Sequence, residues 1–312
     1  MPKNGSKGEK NSTETVLNLQ SHTFRHGVHP PENKEETNKL PIRQFPFSPL
    51  IILPMQQHIG APSRIIVKEG QEVLRGQLLA EANGYMSVPV HAPVSGKIRK
   101  IAKVPVISGQ MTEGIYIETF PYSGQEVIEG TPIDLDKASP EQILKGIQDA
   151  GIVGLGGAAF PTHVKLKIPE GKVCDHLIIN GIECEPYLTT DHRVMLEQAN
   201  DIYMGIRYLI KATGAKEVII GIEGNKQDAA DHLSKLIPAD LPVRVQVVPV
   251  KYPQGAEKML ITSLLGKEVP SGGLPIDVNA VVVNVAPPSA YLAWGATDAY
   301  YQTTLSNAKI DQ

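Results

Sequence analysis

Two patterns of apolar and polar positions divide the chain. Between residues 49 and 120, seven short apolar runs alternate with turn residues, at 50–53, 64–67, 72–74, 77–80, 86–90, 96–101 and 114–118. This spacing predicts a small all-β domain built from short strands.

From residue 139 the pattern changes to apolar strands separated by longer helical stretches. Ser139, Pro140 and Gln142 form the signature of a helix start, with an N-cap serine, a proline at the first position and a capping-box glutamine. Strands are predicted at 176–180, 217–222, 243–248 and 280–284, with helices from Thr190 or Asp191 to about 212, from Asn225 to about 237, and over 256–265. This alternation predicts an α/β domain with a mostly parallel, Rossmann-like sheet.

Composition limits the class of protein. A net charge of −3 gives no reason to expect a nucleic-acid partner, and two cysteines make a disulfide framework improbable in so long a chain. No apolar run is long enough for a membrane-spanning helix. His22, His26 and His29 fit no standard zinc spacing, so we expect no metal there.

These observations predict six segments. Residues 1–21 form a polar, disordered tail and residues 22–48 an extended N-terminal segment on a domain surface. The all-β domain (49–120) and a linker (121–138) follow, then the α/β domain (139–290) and a C-terminal tail (291–312).

A glycine-rich stretch, GLGGAAFPTHVK at 154–165, opens the α/β domain. Gly154, Gly156 and Gly157 allow the backbone to approach a ligand, and successive amides in such a loop can bind an anion. Lys165 could neutralise a phosphate, and Phe160 offers a flat face to an aromatic ring. The stretch lacks the G-x-G-x-x-G fingerprint, so spacing alone leaves a nucleotide-like ligand and a simple turn equally open.

Polar residues follow three predicted strands, where ligands bind in parallel α/β sheets. Asn180 and Asn284 supply amide donors and acceptors without charge. Glu183 and Glu185 suit sugar hydroxyls, although a solvated acidic turn is an equally good interpretation. Three further candidates lie beyond the third strand, namely Tyr252, Gly255 and Glu257.

Two cysteine and lysine positions narrow the chemistry. Cys184 lies between two glutamates, which should raise its thiol pKa, so we do not expect a nucleophile and propose no catalytic side chain. The all-β domain resembles the barrel-sandwich hybrid fold of biotinyl and lipoyl carriers. Their modified lysine would fall in NGYMS (83–87), which has no lysine, so this domain is interpreted as a scaffold.

Four motifs together resemble the RnfC family, subunits of Rnf electron-transport complexes related to the NADH-oxidising flavin subunit of respiratory complex I. They are HPPENK (29–34), LPMQQHIGAP (53–62), the glycine-rich stretch, and LIINGIECEP (177–186). The resemblance covers about residues 22–286.

The resemblance implies FMN in the glycine-rich loop with NADH bound over it, and hydride passing between nicotinamide and flavin. It also implies membrane attachment at the cytoplasmic face through other Rnf-type subunits. The residues it places in the cofactor site are Gly154, Gly156, Gly157 and Lys165 at the phosphate or flavin, Phe160 near the nicotinamide or adenine, Asn180, Glu183 and Glu185 lining the pocket, Tyr252, Gly255 and Glu257 in the segment that matches the complex I relative, and Asn284 at the flavin.

The chain also departs from the family pattern. Family members continue into two [4Fe–4S] clusters, whereas this sequence has no C-x-x-C motif and an atypical stretch at 285–312. We therefore expect a chain truncated before the iron–sulfur region. One alternative is a non-catalytic scaffold subunit of a redox complex, and a less favoured one is a corrinoid flavin reductase.

Overall fold

The computed structural model describes residues 22–43, 46–128, 133–154 and 159–286. The predicted tails, part of the predicted linker, and Gly156 and Gly157 lie outside the described residues. Within them, two antiparallel sheets precede a separate parallel sheet, as the hydrophobic pattern predicts.

The first domain contains seven strands in two antiparallel sheets, ordered β1-β7-β6-β3 and β2-β4-β5. The strands are β1 Leu50–Pro54, β2 Arg64–Ile65, β3 Glu72–Val73, β4 Leu78–Glu81, β5 Val90–His91, β6 Gly96–Pro105 and β7 Met111–Thr119. In β1, Ile51 and Leu53 are buried while Leu50 and Ile52 are exposed, because successive side chains point to opposite faces.

The second domain is built on four parallel strands in the order β10-β9-β8-β11. The strands are β8 His176–Gly181, β9 Glu217–Glu223, β10 Val243–Val248 and β11 Ala280–Asn284. The helices are α1 Pro140–Asp149, α2 Thr162–Leu166, α3 Thr190–Glu197, α4 Ala199–Thr213, α5 Gln227–Leu236 and α6 Glu257–Leu265. The predicted α/β class with a parallel sheet is confirmed.

Helices cover both faces of this sheet, which explains its nearly continuous apolar strands. On one face, Leu177 and Ile179 of β8 share a core with Ile206 of α4. On the other face, Ile178 packs in a second core with Leu260 of α6.

Two helix predictions are wrong in detail. The helix predicted from 190 to 212 is two helices, because Gln198 leaves the helical region (φ −127°, ψ 30°) between α3 and α4. Asn225 does not cap α5; it lies in a 3-10 turn, Gly224–Lys226, and its amide donates to Glu32 instead. The capping box at Ser139 and Gln142 is confirmed.

The NGYMS tip of the first domain contacts the second domain. The Tyr85 carbonyl lies 2.8 Å from Nε2 of His163 on α2, and the two rings meet edge to face at 5.5 Å. Gln148 of α1 donates to the Ser87 carbonyl at 3.1 Å. The tip that carries the modified lysine in carrier domains is thus used here for packing, in keeping with a scaffold role.

Candidate functional site

The base of the glycine-rich loop is closed by backbone pairing. Val153 and Pro161 form an antiparallel bridge, and the Gly154 N–H donates to the Phe160 carbonyl at 2.9 Å. Ala159 has φ +49°, a left-handed conformation that non-glycine residues seldom adopt. The chain therefore makes a narrow, constrained loop, although Gly156 and Gly157 at its tip lie outside the described residues.

The helix after this loop contributes little to anion binding. Sequence reasoning expects a helix dipole behind the glycines, but α2 has only five residues and begins without a side-chain cap. A short helix sums few peptide dipoles. Positive charge at the loop comes instead from Lys165.

Lys165 and Glu257, two predicted site residues from distant segments, form an ion pair. Lys165 Nζ lies 2.7 Å from Glu257 Oε2, and about a third of each side chain is exposed. Glu257 is the first residue of α6, where an acid is also favoured by the helix dipole. The pair brings the glycine-rich loop and the 252–257 loop to one place.

Asn180 and Asn284 are neighbours in register at the ends of β8 and β11. Both polar atoms of the Asn180 side chain are used, since Nδ2 donates to the Gly255 carbonyl at 3.0 Å and Oδ1 accepts from the Ile182 N–H at 3.1 Å. Among the described residues nothing hydrogen-bonds to the half-buried Asn284 side chain. Asn284 is thus the amide at this edge that remains free to bind a ligand.

Glu183 is buried and caps α3. Its carboxylate accepts from the N–H groups of Asp191 at 2.7 Å and His192 at 3.2 Å. A carboxylate at a helix N-terminus satisfies amides that lack partners within the helix. Burial, together with the adjacent Glu183 carboxylate, raises the pKa of the Asp191 carboxyl. The proposed contact of Glu183 with ligand hydroxyls stays a prediction.

The loops after β8 and β10 pack tightly around Gly255. The Gly255 N–H donates to Cys184 Sγ at 3.4 Å, and a Cβ at Gly255 would lie 3.4 Å from both Cys184 Sγ and the Ile182 carbonyl. Burial raises the pKa of the Cys184 thiol to about 11, with a smaller contribution from Glu185. The predicted direction is correct, but burial rather than the flanking charge is the main cause.

Glu185 and Tyr252 lie at the rim of the site. Glu185 is exposed, and the Tyr252 side chain is 39% exposed. Phe160 is half-buried at the base of the glycine-rich loop. The structure therefore offers two aromatic side chains and one exposed carboxylate around the Lys165–Glu257 pair.

Sequence reasoning misses a group of buried charges beneath these loops. Lys226 Nζ lies 2.8 Å from Glu223 Oε2, and both side chains are almost fully buried. Lys34 of the N-terminal segment is also buried. Burial, and then the positive charge of Lys226, lowers the pKa of the Lys34 ammonium. A buried lysine has no local sequence signature, although Lys34 does end the HPPENK motif.

A cavity of about 200 Å³ lies between the N-terminal segment and these loops, lined by Glu32, Lys34, Glu183, Glu223 and Tyr252 among others. A larger open groove of about 640 Å³ runs along α1. None of the described candidate residues lines that groove, so the strand-end cavity is the one that belongs to the site.

The residues present fit a flavin mononucleotide in chemical type. Lys165 is a cation suited to a phosphate, and the free Asn284 amide can both donate to and accept from ring heteroatoms. Phe160 and Tyr252 supply flat apolar surfaces. Among the described residues there is no cluster of side chains suited to a metal ion.

The described part of the chain contains no helix that is both long and apolar enough to cross a bilayer.

Comparison with known proteins divides the chain as the fold does. Residues 22–120 match the family model of the RnfC barrel sandwich hybrid domain. Residues 147–290 match that of the Nuo51 FMN-binding domain.

Three relatives match across both domains. The RnfC-type component of the Na(+)-translocating ferredoxin:NAD(+) oxidoreductase complex of Acetobacterium woodii is 46% identical, over 86% of this chain and 61% of the relative. The counterpart from the proton-translocating complex of Clostridium ljungdahlii is 44% identical, over 84% and 57%. The counterpart from an ion-translocating oxidoreductase complex of Haemophilus influenzae is 41% identical, over 84% and 40%.

The chain thus spans between 40% and 61% of the length of these relatives. The two matched domains occur in the order that the structure shows, and the similarity runs through both. On this evidence the chain belongs to the RnfC family.

Proposed function

We propose that this chain binds FMN at the carboxyl edge of its parallel sheet and exchanges electrons between NADH and that flavin. The observation that carries the proposal is the convergence of Lys165, Glu257 and Asn284 from three distant segments onto one sheet edge. The match of residues 147–290 to an FMN-binding domain supports the same ligand.

Each residue in the proposal has a defined task. Lys165 binds the phosphate and exchanges its partner Glu257 for it, which frees that carboxylate to accept from ribityl hydroxyls. Asn284 hydrogen-bonds the polar edge of the ring. Asn180 and Glu183 hold the loops around it through the hydrogen bonds they already make. Gly154, Gly156 and Gly157 allow close backbone approach to the phosphate.

The redox chemistry belongs to the cofactor, which takes hydride from a nicotinamide and releases single electrons. The protein positions the two rings. Phe160 and Tyr252, at the rim, are placed to contact the nicotinamide or adenine, and Glu185 to accept from a ribose hydroxyl. No side chain of the chain needs to act as a nucleophile.

The first test is retention of FMN. The purified chain is mixed with FMN, passed through a desalting column, and its visible absorption spectrum recorded. We expect a yellow protein with one flavin per chain. A colourless protein would reject FMN binding and leave the scaffold interpretation.

We also infer that the chain works as a peripheral subunit of an ion-translocating ferredoxin:NAD oxidoreductase at the cytoplasmic face of a membrane. The names of its relatives support this assembly. Co-expression with the membrane subunits of such a complex, followed by flotation, should move the chain into the membrane fraction. A chain that stays in the supernatant would contradict the assignment.

A further inference from the structure

One short stretch of the N-terminal segment holds all three loops at the carboxyl edge of the sheet. Its contacts reach the loop after β8, the turn after β9 and the loop after β10. These loops carry Glu183, Glu185, Tyr252, Gly255 and Glu257 of the proposed flavin site. The segment therefore acts where the site is built, although it precedes the all-β domain in sequence.

The first contact fixes the loop after β10. Val28 and Tyr252 exchange two backbone hydrogen bonds, each 2.9 Å long. The neighbouring Gly27 has φ +99°, and a Cβ there would lie 2.6 Å from Lys251 Cε and 2.8 Å from the Tyr252 carbonyl oxygen. The segment approaches this loop so closely that only glycine fits at position 27.

The second contact fixes the loop after β8. Lys34 Nζ donates to the carbonyls of Glu183 at 2.9 Å, Glu185 at 2.9 Å and Leu188 at 2.6 Å. An ammonium has three donors, and all three are used on one loop. The Lys34 side chain is buried, so water does not compete for these carbonyls.

The third contact reaches the turn after β9. The Glu32 carboxylate accepts from Asn225 Nδ2 at 2.8 Å, while the Glu32 carbonyl accepts from the Tyr187 N–H at 2.9 Å. Tyr187 has φ +69°, a conformation that costs free energy unless its surroundings impose it. Glu32 thus links two of the three loops.

We propose that Lys34 is a positioning residue for flavin binding, holding the loop after β8 in the conformation that receives FMN. The inference rests on the proposed function and adds to it a residue outside the FMN-binding domain. Without the ammonium, three carbonyls lose their shared donor and the loop gains alternative conformations. FMN must then restore one of them on binding, which weakens its affinity.

The direct test is Lys34→Met, which keeps the length and apolar character of the side chain. Lys103→Met is the matched control, since Lys103 is exposed on β6, far along the chain from these loops. We expect the FMN dissociation constant to rise by about tenfold for Lys34→Met. It should be unchanged for Lys103→Met.

A readout at saturating FMN separates positioning from general stability. If Lys34 positions the loop, the absorption band shape of the bound flavin should differ between wild type and Lys34→Met, at a temperature where both are folded. A variant with lowered thermal stability but wild-type affinity and wild-type band shape would overturn the proposal.

A measurement on the wild-type chain covers the case in which the variant does not fold. Coupling between two binding events is reciprocal, so FMN should tighten the contacts of the segment by a similar factor. We expect hydrogen exchange at the amides of Val28, Tyr187 and Tyr252 to slow by about tenfold with FMN. Unchanged exchange with flavin bound would reject the proposal.

The outcomes also distinguish this inference from the proposed function. A wild-type chain that does not retain FMN contradicts the function itself. A wild-type chain that retains FMN, beside a Lys34→Met variant that binds equally well, contradicts only the positioning role.

Discussion

The two sides of the proposed site are built differently. Around the loops after β8 and β10, polar side chains already have protein partners: Asn180 binds Gly255 and Ile182, and Glu183 caps α3. Around the glycine-rich loop and the end of β11, Lys165 is held by a single, partly exposed ion pair, and Asn284 is free among the described residues. One side is therefore pre-organised by the protein, and the other exchanges its contacts with the ligand.

This difference predicts that substitutions on the two sides change different quantities. On the side that exchanges contacts, they should weaken FMN binding and leave the fold intact. On the pre-organised side, they should lower the free energy of unfolding. The predictions below run from the largest effect to the smallest.

Lys165→Met should weaken FMN binding by about ten- to a hundredfold, because a hydrogen bond to a charged group contributes about 1.5–3 kcal/mol. The measurement is titration of FMN fluorescence. Lys172→Met is a matched control, since Lys172 also pairs with a carboxylate, Asp277 at 2.9 Å, on the surface. Equal affinities for the two variants would remove Lys165 from the site.

Asn180→Ala and Asn284→Ala compare two amides that are neighbours in register. Asn180→Ala should lower the free energy of unfolding by about 1–3 kcal/mol, since the Gly255 carbonyl and Ile182 N–H lose their partner. Asn284→Ala should change it by less than about 0.5 kcal/mol. Chemical denaturation measures both.

For FMN affinity Asn284→Ala should itself show a loss of up to about tenfold, as expected for one neutral hydrogen bond. If Asn284→Ala destabilises the fold as much as Asn180→Ala does, the distinction between the two sides fails.

Glu183→Gln should lower the free energy of unfolding by about 1 kcal/mol, because the charge at the start of α3 is lost. Glu185→Gln, two residues away and exposed, should leave stability unchanged. Thermal unfolding of the two variants makes the comparison. Equal melting temperatures would show that Glu183 does not cap α3 in solution.

Cys184 should react slowly with alkylating reagents near neutral pH. With a pKa of about 11, only about one thiol in a thousand is ionised at pH 8. The alkylation rate should therefore rise about tenfold per pH unit between about pH 7 and 9. Mass spectrometry of the Cys184 peptide measures this, and a rate that levels off near pH 8 would contradict a buried thiol.

Much of the fold follows from local pattern. The apolar runs of β8, β9 and β11 and the capping box of α1 are visible in the sequence because each depends on residues close in the chain. The break at Gln198 is not visible there, since the apolar period continues across it.

The site is predictable in part. The rule that ligands bind beyond strand ends selects Asn180 and Asn284, but not which amide is free, since that depends on the path of the 252–257 loop. Lys34 escapes sequence reasoning because its partners are carbonyls about 150 residues away, a contact that no local pattern encodes.

The central claim is that the carboxyl edge of the parallel sheet holds FMN within reach of NADH. The most direct measurement is anaerobic addition of NADH to the FMN-loaded chain, followed by its visible absorption. The account predicts rapid loss of the yellow flavin band in wild type and a much smaller bound fraction in Lys165→Met. Bound flavin that stays yellow with excess NADH would contradict it.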